Sequence, residues 1–434
     1  MKLKPYPKYK ESGVQWIGKI PEELNLERFK IRFKTKKGKI PENLDGTNGD
    51  GYLPYLSMGY LRGKEEDTQF SNDTSALKVE EGDLLLLWDG SNAGEFISAK
   101  KGFLSSTMVK LNIEGMNESF SKYLCSAFEP MLRDLTVGMG IPHVNGDVLG
   151  NIQIPIFKPI DQKKISSFLN SKTSEISKTI EADKKLIELL QEKRTALINH
   201  VVTKGLNPKA KMKDSGIEWI GEVPEGWDVR KLKHVSDVRI SNVDKKSEED
   251  QQGVLLCNYV DVYKNEFITS NLNFMKATAS IVQIQRFTIK KGDVIITKDS
   301  EEPTDIAVPA LVNENLSNVV CGYHLALIRP NSTKMLGAYL FRSFQARKIN
   351  DQFVIEASGV TRFGISTYPI LNSYILVPKK PEQLQIVQYL DKATSKIDET
   401  MQKIEKKIEL LEEYKKSLIH HVVTGKVDVR GFAA

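Results

Sequence analysis

Seven basic side chains fall within the short segment 28–39, and no acidic residue interrupts them. From Arg28 to Lys34, basic and apolar residues alternate with the period of a half-buried strand, which would put four positive charges on one face. Such a row suits the phosphates of a nucleic acid, although a solvated strand face has the same pattern. The candidate phosphate contacts are Arg28, Lys30, Arg32, Lys34, Lys36, Lys37 and Lys39.

Polar and aromatic side chains also recur in the turns, for example in LSMGYLRGK and NYVDVYKN. Arginine, lysine and asparagine are the side chains that pair with base edges in a major groove, so these turns are candidates for reading bases. Two glycine-rich turns, GIPHVNG and GVTRFG, add polar residues. The candidates are Tyr60, Arg62, Lys64, Asn92, His143, Asn145, Arg239, Asn242, Lys245, Asn258, Tyr259, Tyr263, Lys298, Thr361 and Arg362.

Motifs for catalysis are missing from the sequence. There is no G-x-x-x-x-G-K-[ST] phosphate loop and no Asn-Pro-Pro-aromatic or Asp-Pro-Pro-aromatic tetrad of an amino-methyltransferase. The six histidines lack metal-ligand spacing, and His200, His420 and His421 lie near predicted helix ends, where a cation suits the helix dipole. We therefore predict a protein that binds and does not catalyse, with no cofactor and no metal.

The elements that position these residues occur twice. KESGVQWIGKIPE at Lys10–Glu22 returns as KDSGIEWIGEVPE at Lys213–Glu225, an offset of 203. FLNSKTSEI through LINHVVTK returns as YLDKATSKI through LIHHVVTG, an offset of 221. Because the offset only grows along the chain, the copies are colinear and the second has small insertions. The GIPHVNG and GVTRFG turns fall at matching places in the two copies.

Each copy ends in a predicted long helix. Apolar residues follow heptad spacing from Leu169 to Val201 and from Leu390 to Val422, which favours a coiled coil of about four heptads. Gly205 and Gly425 stop the two helices. A lone helix of this length would leave its apolar seam in water, so we predict that the two helices pack against each other, antiparallel. Polar seam residues such as Arg194, Lys415 and Asp183 would set the register.

The middle of each copy, roughly 22–158 and 225–379, predicts a mixed α/β domain. GDLLLLW and GDVIIT are typical of buried strands, and STMVKLNI, HLALIRP, IQIPI and YILVP predict further strands. Helices are expected over Ser119–Leu135 and Met335–Phe353. The predicted fold class is therefore α+β: a tandem duplication of a mixed α/β domain followed by a long helix, with the two helices in an antiparallel coiled coil.

Composition also limits the class of protein to which the chain can belong. The 434 residues are 40% hydrophobic and 27% charged, which is ordinary for a globular protein of two to four domains. No apolar run approaches the ~18 residues of a membrane span, and the first residues lack the apolar core of a signal peptide. Three scattered cysteines, Cys125, Cys257 and Cys321, favour reduced thiols and a cytoplasmic location. The net charge of +6 gives a mild preference for polyanions.

The chain resembles the specificity subunit of type I restriction-modification enzymes over nearly its whole length. The segments that carry the resemblance are SGVQWIGKIPE with SGIEWIGEVPE, DQKKISSFLNSKTSEI with EQLQIVQYLDKATSKI, and LINHVVTKG with LIHHVVTGK. The resemblance implies a non-catalytic subunit whose two target recognition domains each read one half of a split, asymmetric double-stranded DNA target. It also implies two methyltransferase subunits that use S-adenosylmethionine, and ATP-driven restriction subunits. No base-reading residue carries over by motif.

These arguments predict a first target recognition domain at 1–158, a first spacer helix at 159–204, a linker and second recognition domain at 205–379, a second helix at 380–425 and a tail at 426–434. The length of the helices and the linker Lys204–Lys213 would set the number of unread base pairs between the half-sites. The alternative is a coiled-coil adaptor that joins two protein-binding domains and has no DNA specificity.

Overall fold

The computed structural model describes residues 4–64, 66, 68–138 and 140–432. It divides into two compact units. Unit 1 comprises the chain up to residue 183 together with the chain from residue 405 onward, and unit 2 comprises residues 184–404. Each unit thus combines the globular part of one repeat copy with a portion of both long helices.

The elements of the first copy are, in chain order, β1 (Tyr9–Glu11), β2 (Lys19–Pro21), β3 (Asn25–Arg28), α1 (Phe29–Arg32), β4 (Phe33–Lys37), β5 (Leu53–Leu56), α2 (Met58–Leu61), β6 (Phe70–Ser71), β7 (Lys78–Val79), β8 (Leu84–Leu87), β9 (Phe96–Ser98), β10 (Gly102–Leu104), β11 (Met108–Ile113), α3 (Glu118–Asp134), α4 (Gly146–Asn151), β12 (Gln153–Ile156) and the long helix α5 (Pro159–Lys204).

Those of the second copy are β13 (Met212–Asp214), β14 (Glu222–Pro224), β15 (Asp228–Lys231), β16 (Ser236–Ile240), β17 (Gln252–Cys257), α6 (Tyr259–Lys264), β18 (Phe267–Ile268), β19 (Met275–Ala279), α7 (Ile281–Phe287), β20 (Val294–Thr297), β21 (Asp299–Ser300), β22 (Pro309–Val312), β23 (Val319–Cys321), β24 (Leu325–Pro330), α8 (Gly337–Gln345), α9 (Arg347–Glu356), β25 (Phe363–Gly364), α10 (Thr367–Asn372), β26 (Tyr374–Val377) and the long helix α11 (Lys380–Val423).

Each unit is built on an antiparallel sheet. In unit 1 the strand order is β4-β11-β8-β9, and in unit 2 it is β16-β24-β20-β22-β18, where only the β18–β22 pair is parallel. The apolar runs of β8 and β20 are buried at every position, as a strand covered on both faces requires. The predicted strands GDLLLLW, GDVIIT, STMVKLNI, HLALIRP, IQIPI and YILVP are confirmed by β8, β20, β11, β24, β12 and β26.

The predicted strand over Arg28–Lys34 is wrong. Arg28 ends β3, Phe29–Arg32 form the short helix α1, and β4 begins only at Phe33. Phe29 and Phe33 are both buried, and their rings stack with centroids 4.2 Å apart. Residues four apart meet on one side of a helical turn, whereas on one strand they would lie two pleats apart. Burial of this aromatic pair thus outweighs the alternating pattern, and the four charges do not share a strand face.

The single helix predicted over Met335–Phe353 is also wrong, because the chain turns at Ala346 and forms α8 and α9. Both helices pack into the same core: α8 buries Tyr339 and Phe344, and α9 buries Ile349 and Phe353. A straight helix could not direct all of these side chains to one core. The helix predicted over Ser119–Leu135 is confirmed as α3, which begins behind the Asn117 cap.

The long helices α5 and α11 are confirmed, and each ends at a glycine in the left-handed region, Gly205 with φ 74° and Gly425 with φ 76°. In unit 1 the helix portions run antiparallel, because Ser177 contacts Lys415 while the later Asp183 contacts the earlier Lys407. In unit 2 Arg194 pairs with Asp398, and the seam residues Val201 and Leu390 belong to one core. The antiparallel coiled coil is thus present in the portions that each unit holds.

Candidate nucleic-acid interface

In unit 1, several candidate residues meet at the edge of the sheet where β4 and β8 end and β11 begins. Lys37 at the end of β4 lies opposite Val109 of β11, and its Nζ donates to Oδ2 of Asp89 at 3.0 Å. Asp89 opens the turn that contains Asn92, whose side chain contacts the hydroxyl of the neighbouring Ser91. The antiparallel pairing of β4 and β8 with β11 thus brings Lys37 to the turn that contains Asn92, from a segment about 50 residues away.

The loop at 137–146 is held at this same edge by backbone hydrogen bonds. The Val144 N–H donates to the Trp88 carbonyl at 2.9 Å, and the Gly90 N–H donates to the Pro142 carbonyl at 2.8 Å. His143 is therefore brought beside the Asp89 turn. Asn145 follows, but its Oδ1 caps α4 by accepting from the backbone of Asp147 and Val148. A base contact by Asn145 could use only its amide nitrogen.

Some residues of the basic run 28–39 bond within the protein, and others have exposed side chains. Arg32 forms two hydrogen bonds with the Glu27 carboxylate, at 2.6 and 2.9 Å, and this hydrogen bonding raises the pKa of Arg32. Lys34 donates to the carbonyl of Lys30 at 2.9 Å. Lys36 is exposed on β4 at the sheet edge. The remaining three residues, Arg28, Lys30 and Lys39, also have exposed side chains, and Lys39 donates to Ser75 at 2.7 Å.

Helix α2 and the residues after it carry three more candidates. The Tyr60 ring lies under the ammonium of Lys100, 4.6 Å from the ring centroid. Arg62 pairs with both oxygens of Glu95, so much of its charge is neutralised within the protein. Lys64 is exposed. Lys100 is a basic residue that the sequence interpretation missed, because no motif marks it and only the fold brings it to Tyr60.

In unit 2, the corresponding edge lies where β16 and β20 end and β24 begins. Here the Ile365 N–H donates to the Lys298 carbonyl at 2.9 Å, the counterpart of the bond between Val144 and Trp88 in unit 1. Asp299 and Ser300 pair with Phe363 and Gly364 as β21 and β25. The GVTRFG turn is thus fixed beside the end of the central strand, as the repeat predicts.

A cleft of about 490 Å³ at this edge brings four candidate residues together: Tyr259, Tyr263, Thr361 and Arg362. The two tyrosine rings stack with centroids 5.4 Å apart, and the Tyr263 hydroxyl donates to Oδ2 of Asp305. This hydrogen bond is the main cause that raises the pKa of Tyr263 to about 12. Burial raises the pKa of Tyr259, so both hydroxyls stay protonated at neutral pH.

Two neighbouring residues, Tyr323 and His324, were missed because HLALIRP was interpreted only as a strand. The Lys298 ammonium lies 5.3 Å from the centroid of the Tyr323 ring, and Nδ1 of His324 lies 2.6 Å from Oδ2 of Asp299. The available signal was their position: polar and aromatic residues directly before a strand must lie at the sheet edge where the neighbouring antiparallel strand ends.

Other candidates in unit 2 have local structural roles. Arg239 on β16 pairs with Asp237 and donates to the Arg286 carbonyl at 2.7 Å. Asn258 caps α6, and its backbone N–H donates to the Asp261 carboxylate at 2.7 Å. Asn242 contacts Gln283 and, like Lys245, is exposed beyond the end of β16.

The described ranges, with residues 65, 67 and 139 and both chain ends left aside, contain no cluster of three or more His, Cys, Asp or Glu residues placed to hold a metal ion. Within the same ranges, none of the helices combines the length and apolar character that a bilayer span demands. Burial raises the pKa of the thiols of Cys125 and Cys257, which disfavours their thiolate forms.

Each unit combines a mainly antiparallel sheet, whose edge turns differ in sequence between the two copies, with portions of the two long helices. The family model described as "Type I restriction modification DNA specificity domain" matches residues 29–189 and again 224–410. The chain belongs to this family, whose members supply DNA specificity and are not catalytic, while the catalytic activities lie in partner subunits. The chain is a DNA sequence-specificity subunit, and nothing in the comparisons favours the adaptor alternative.

Individual relatives agree with this assignment. The chain is 29% identical to the type I restriction enzyme MjaVIII specificity subunit of Methanocaldococcus jannaschii over 97% of both chains. It is 22% identical to the MjaIX specificity subunit of the same organism over 95% of both chains. A solved structure titled as the basis of complex assembly and conformational transition of the type I R-M system shares the fold, with a TM-score of 0.69, 15% identity, and coverage of 93% of this chain and 98% of that one.

Proposed function

We propose that unit 1 and unit 2 each read one half of a split, asymmetric DNA target through the sheet edges described above. The observation that carries this proposal is that corresponding backbone bonds, Val144 to Trp88 and Ile365 to Lys298, hold corresponding turns whose side chains differ. A conserved frame with different side chains suits two readers of different half-sites.

Within each edge the candidate residues divide by role. Exposed lysines such as Lys36, Lys39 and Lys64 suit contacts with phosphates, which position a protein on a duplex without reading its sequence. His143, Asn92 and Arg362 lie in the turns, and Tyr259 begins α6 in the same cleft as Arg362. These four residues suit contacts with bases. The residues that pair within the protein, Arg32, Arg62 and Arg239, would have to exchange a carboxylate partner for DNA.

The wider assembly is part of the same proposal. The family acts with methyltransferase and restriction subunits on DNA, and we propose two methyltransferase subunits, which bind S-adenosylmethionine, and restriction subunits, which use ATP. The predicted domains at 1–158 and 205–379 would be the two recognition domains, with the helices as spacers. Because the complex acts on DNA, we also propose a cytoplasmic location for the chain.

The test is the methylation pattern of DNA from cells that express the chain with its methyltransferase subunit. We expect a split, asymmetric methylated motif that disappears without the chain. Exchange of residues 225–379 for those of another family member should change one half of the motif only. An active, intact complex without any motif, or with both halves changed by that exchange, would contradict the proposal.

A further inference from the structure

A network of partly buried charges in unit 2 is centred on Glu266. Its carboxylate accepts from Nη2 of Arg194 at 2.6 Å and from Nε2 of Gln345 at 2.8 Å, and Nη1 of Arg342 lies 3.6 Å away. The Arg342 side chain is only 3% exposed. Arg194 also pairs with Asp398 at 2.9 Å. An acidic side chain thus lies between α8 and the portions of the two long helices in unit 2, beside a cavity of about 490 Å³ that Glu266, Arg342 and Asp398 help to line.

Glu266 reaches this space on an extended segment that pairs with the sheet edge. The Leu311 N–H donates to the Glu266 carbonyl at 2.9 Å, and the Asn313 N–H donates to the Ile268 carbonyl at 3.1 Å. Phe267 packs against Phe341 of α8, with ring centroids 5.6 Å apart. The segment therefore presents one carboxylate to the charges and apolar side chains to the core.

The repeat identifies the same space in unit 1. The offset of 221 relates Arg194 to Lys415 and Asp398 to Ser177, and the offset of 216 within the α3 and α8 segments relates Arg342 to Ser126 and Gln345 to Glu129. These four unit 1 residues all line one cavity of about 810 Å³. Other residues on its wall are Arg133, Ile180, Lys416 and Ile419.

In contrast to the Glu266 network of unit 2, this cavity of unit 1 has more basic side chains than carboxylates on its wall. Lys415 donates to the Ser177 hydroxyl at 2.8 Å, and no carboxylate of the described residues forms an ion pair with it. Arg133 and Lys416 add positive charge, while Glu412 and Glu129 add negative charge. Glu129 accepts from the Phe96 N–H at 3.0 Å and lies 3.8 Å from Arg133. One further carboxylate would balance the three basic side chains.

The described part of unit 1 has no counterpart of β18. In unit 2, the connection 265–274 between α6 and β19 contains β18, whereas in unit 1 the shorter connection 62–69 between α2 and β6 adds no strand to β9 within its described residues. Among the described residues, strand β9 is the edge of its sheet, next to α3. The position equivalent to Leu311, which receives β18 in unit 2, is Ser98, and it is exposed.

We propose that this cavity in unit 1 receives an extended segment of another protein, which inserts a glutamate or aspartate beside Lys415 and an adjacent apolar side chain against the core. Unit 2 carries its own copy of such a segment, whose carboxylate already occupies the position beside Arg194. The docking is thus confined to one of the two units, although the units derive from one duplicated domain. This inference rests on the proposed function, because it takes the partner to be a subunit of the same complex.

The experiment uses the full chain, co-expressed and purified with its methyltransferase and restriction subunits, with a photo-crosslinking amino acid in place of Ser417 on the cavity wall. We expect the crosslinked peptide to come from another subunit and to contain a glutamate or aspartate. Lys415→Glu should reduce the crosslink about tenfold or more, because it places like charges together. Replacement of the partner's acidic residue by lysine should then restore the crosslink.

Lys406→Glu is the matched control, since Lys406 is exposed on the same helix and pairs only locally with Glu409. It should leave the crosslink unchanged. Crosslinks confined to this chain or to DNA, a peptide without an acidic residue, or insensitivity to Lys415→Glu would each overturn the inference. Binding of the same complexes to the methylated motif is measured in parallel, so that loss of DNA reading is distinguished from loss of docking.

Discussion

At the end of its central strand unit 1 carries Trp88 and Asp89, whereas unit 2 carries Lys298 and Asp299 at the corresponding positions. The aspartate pairs with Lys37 in one unit and with His324 in the other. The backbone bonds behind these side chains are the same. Duplication has therefore retained the hydrogen-bonded frame, which determines the fold, and changed the side chains in front of it, which determine what the edge can bind.

The helix portions differ in the same way. Arg194 in unit 2 has two carboxylate partners, whereas its counterpart Lys415 in unit 1 has a serine hydroxyl. Guanidinium suits two carboxylates at once because its donors point in several fixed directions. The seam position is the same, but in unit 2 it anchors a strand of the globular part and in unit 1 it faces an open cavity.

The largest expected effect is on stability, and it distinguishes substitution of Arg194 from substitution of Lys415. Arg194→Met should destabilise unit 2 by about 2–3 kcal/mol, less than the ~3–5 kcal/mol of a fully buried pair, because Glu266 and Asp398 keep partial access to water. Lys415→Met in unit 1 should cost less than about 0.5 kcal/mol. Hydrogen exchange resolved by segment would report each unit separately. Equal protection losses in both units would contradict the comparison.

The next effect concerns the tyrosine cleft of unit 2. Tyr259→Ala and Arg362→Ala should each weaken binding to the specific duplex by about 1–2 kcal/mol, through loss of stacking or of a base contact. The discrimination lost should belong to one half-site. Fluorescence anisotropy on duplexes with either half-site randomised measures this. Tyr414→Ala, at an exposed tyrosine of α11, is the control. A uniform loss across both halves would indicate phosphate contacts instead.

A smaller, sequence-independent effect is expected in unit 1. Lys36→Ala and Lys39→Ala should each reduce the slope of log affinity against log salt by about 1, because each lysine would replace one counterion on a phosphate. The preferred sequence should stay the same. Titration of specific and random duplexes at several salt concentrations gives both quantities. A changed sequence preference would mean that these lysines read bases.

The smallest effect depends on pH at the end of α11. Burial, and then the charges of His420 and Lys426, lower the pKa of His421. A histidine whose pKa is lowered by folding stabilises the fold fully above its unfolded pKa, and this contribution is lost as pH falls from about 6.5 through the folded pKa. Acidification from pH 7.5 to 5.5 should therefore increase hydrogen exchange at the end of α11, and His421→Gln should remove this dependence.

The matched segment for that measurement is the end of α5 in unit 2, where Asn199 occupies the position of His420 and no histidine pair exists. We expect a smaller change in hydrogen exchange there over the same pH range. Because His421 is largely exposed, the effect on thermal stability should be only about 1–2 °C, within the range of a small surface contribution.

Patterns that depend on neighbouring residues could be predicted from the sequence. The heptad seams predicted α5 and α11, the apolar runs predicted β8 and β20, and the repeated segments predicted a duplicated fold. Local periodicity reflects which face of an element is buried, so it can be recognised without knowledge of the rest of the chain. The matching positions of GIPHVNG and GVTRFG likewise followed from the repeat.

Features that depend on burial by distant parts of the chain could not be predicted in this way. The Phe29–Phe33 stack converts an alternating segment into a helix, the turn at Ala346 divides one expected helix into two, and Glu266 enters a network with Arg194 and Arg342. The energy of each depends on burial by elements far away in the chain. The sequence by itself determined two copies, their long helices and their buried central strands. Only the tertiary structure decided which side chains share an edge, and why Arg194 has carboxylate partners where Lys415 has a serine hydroxyl.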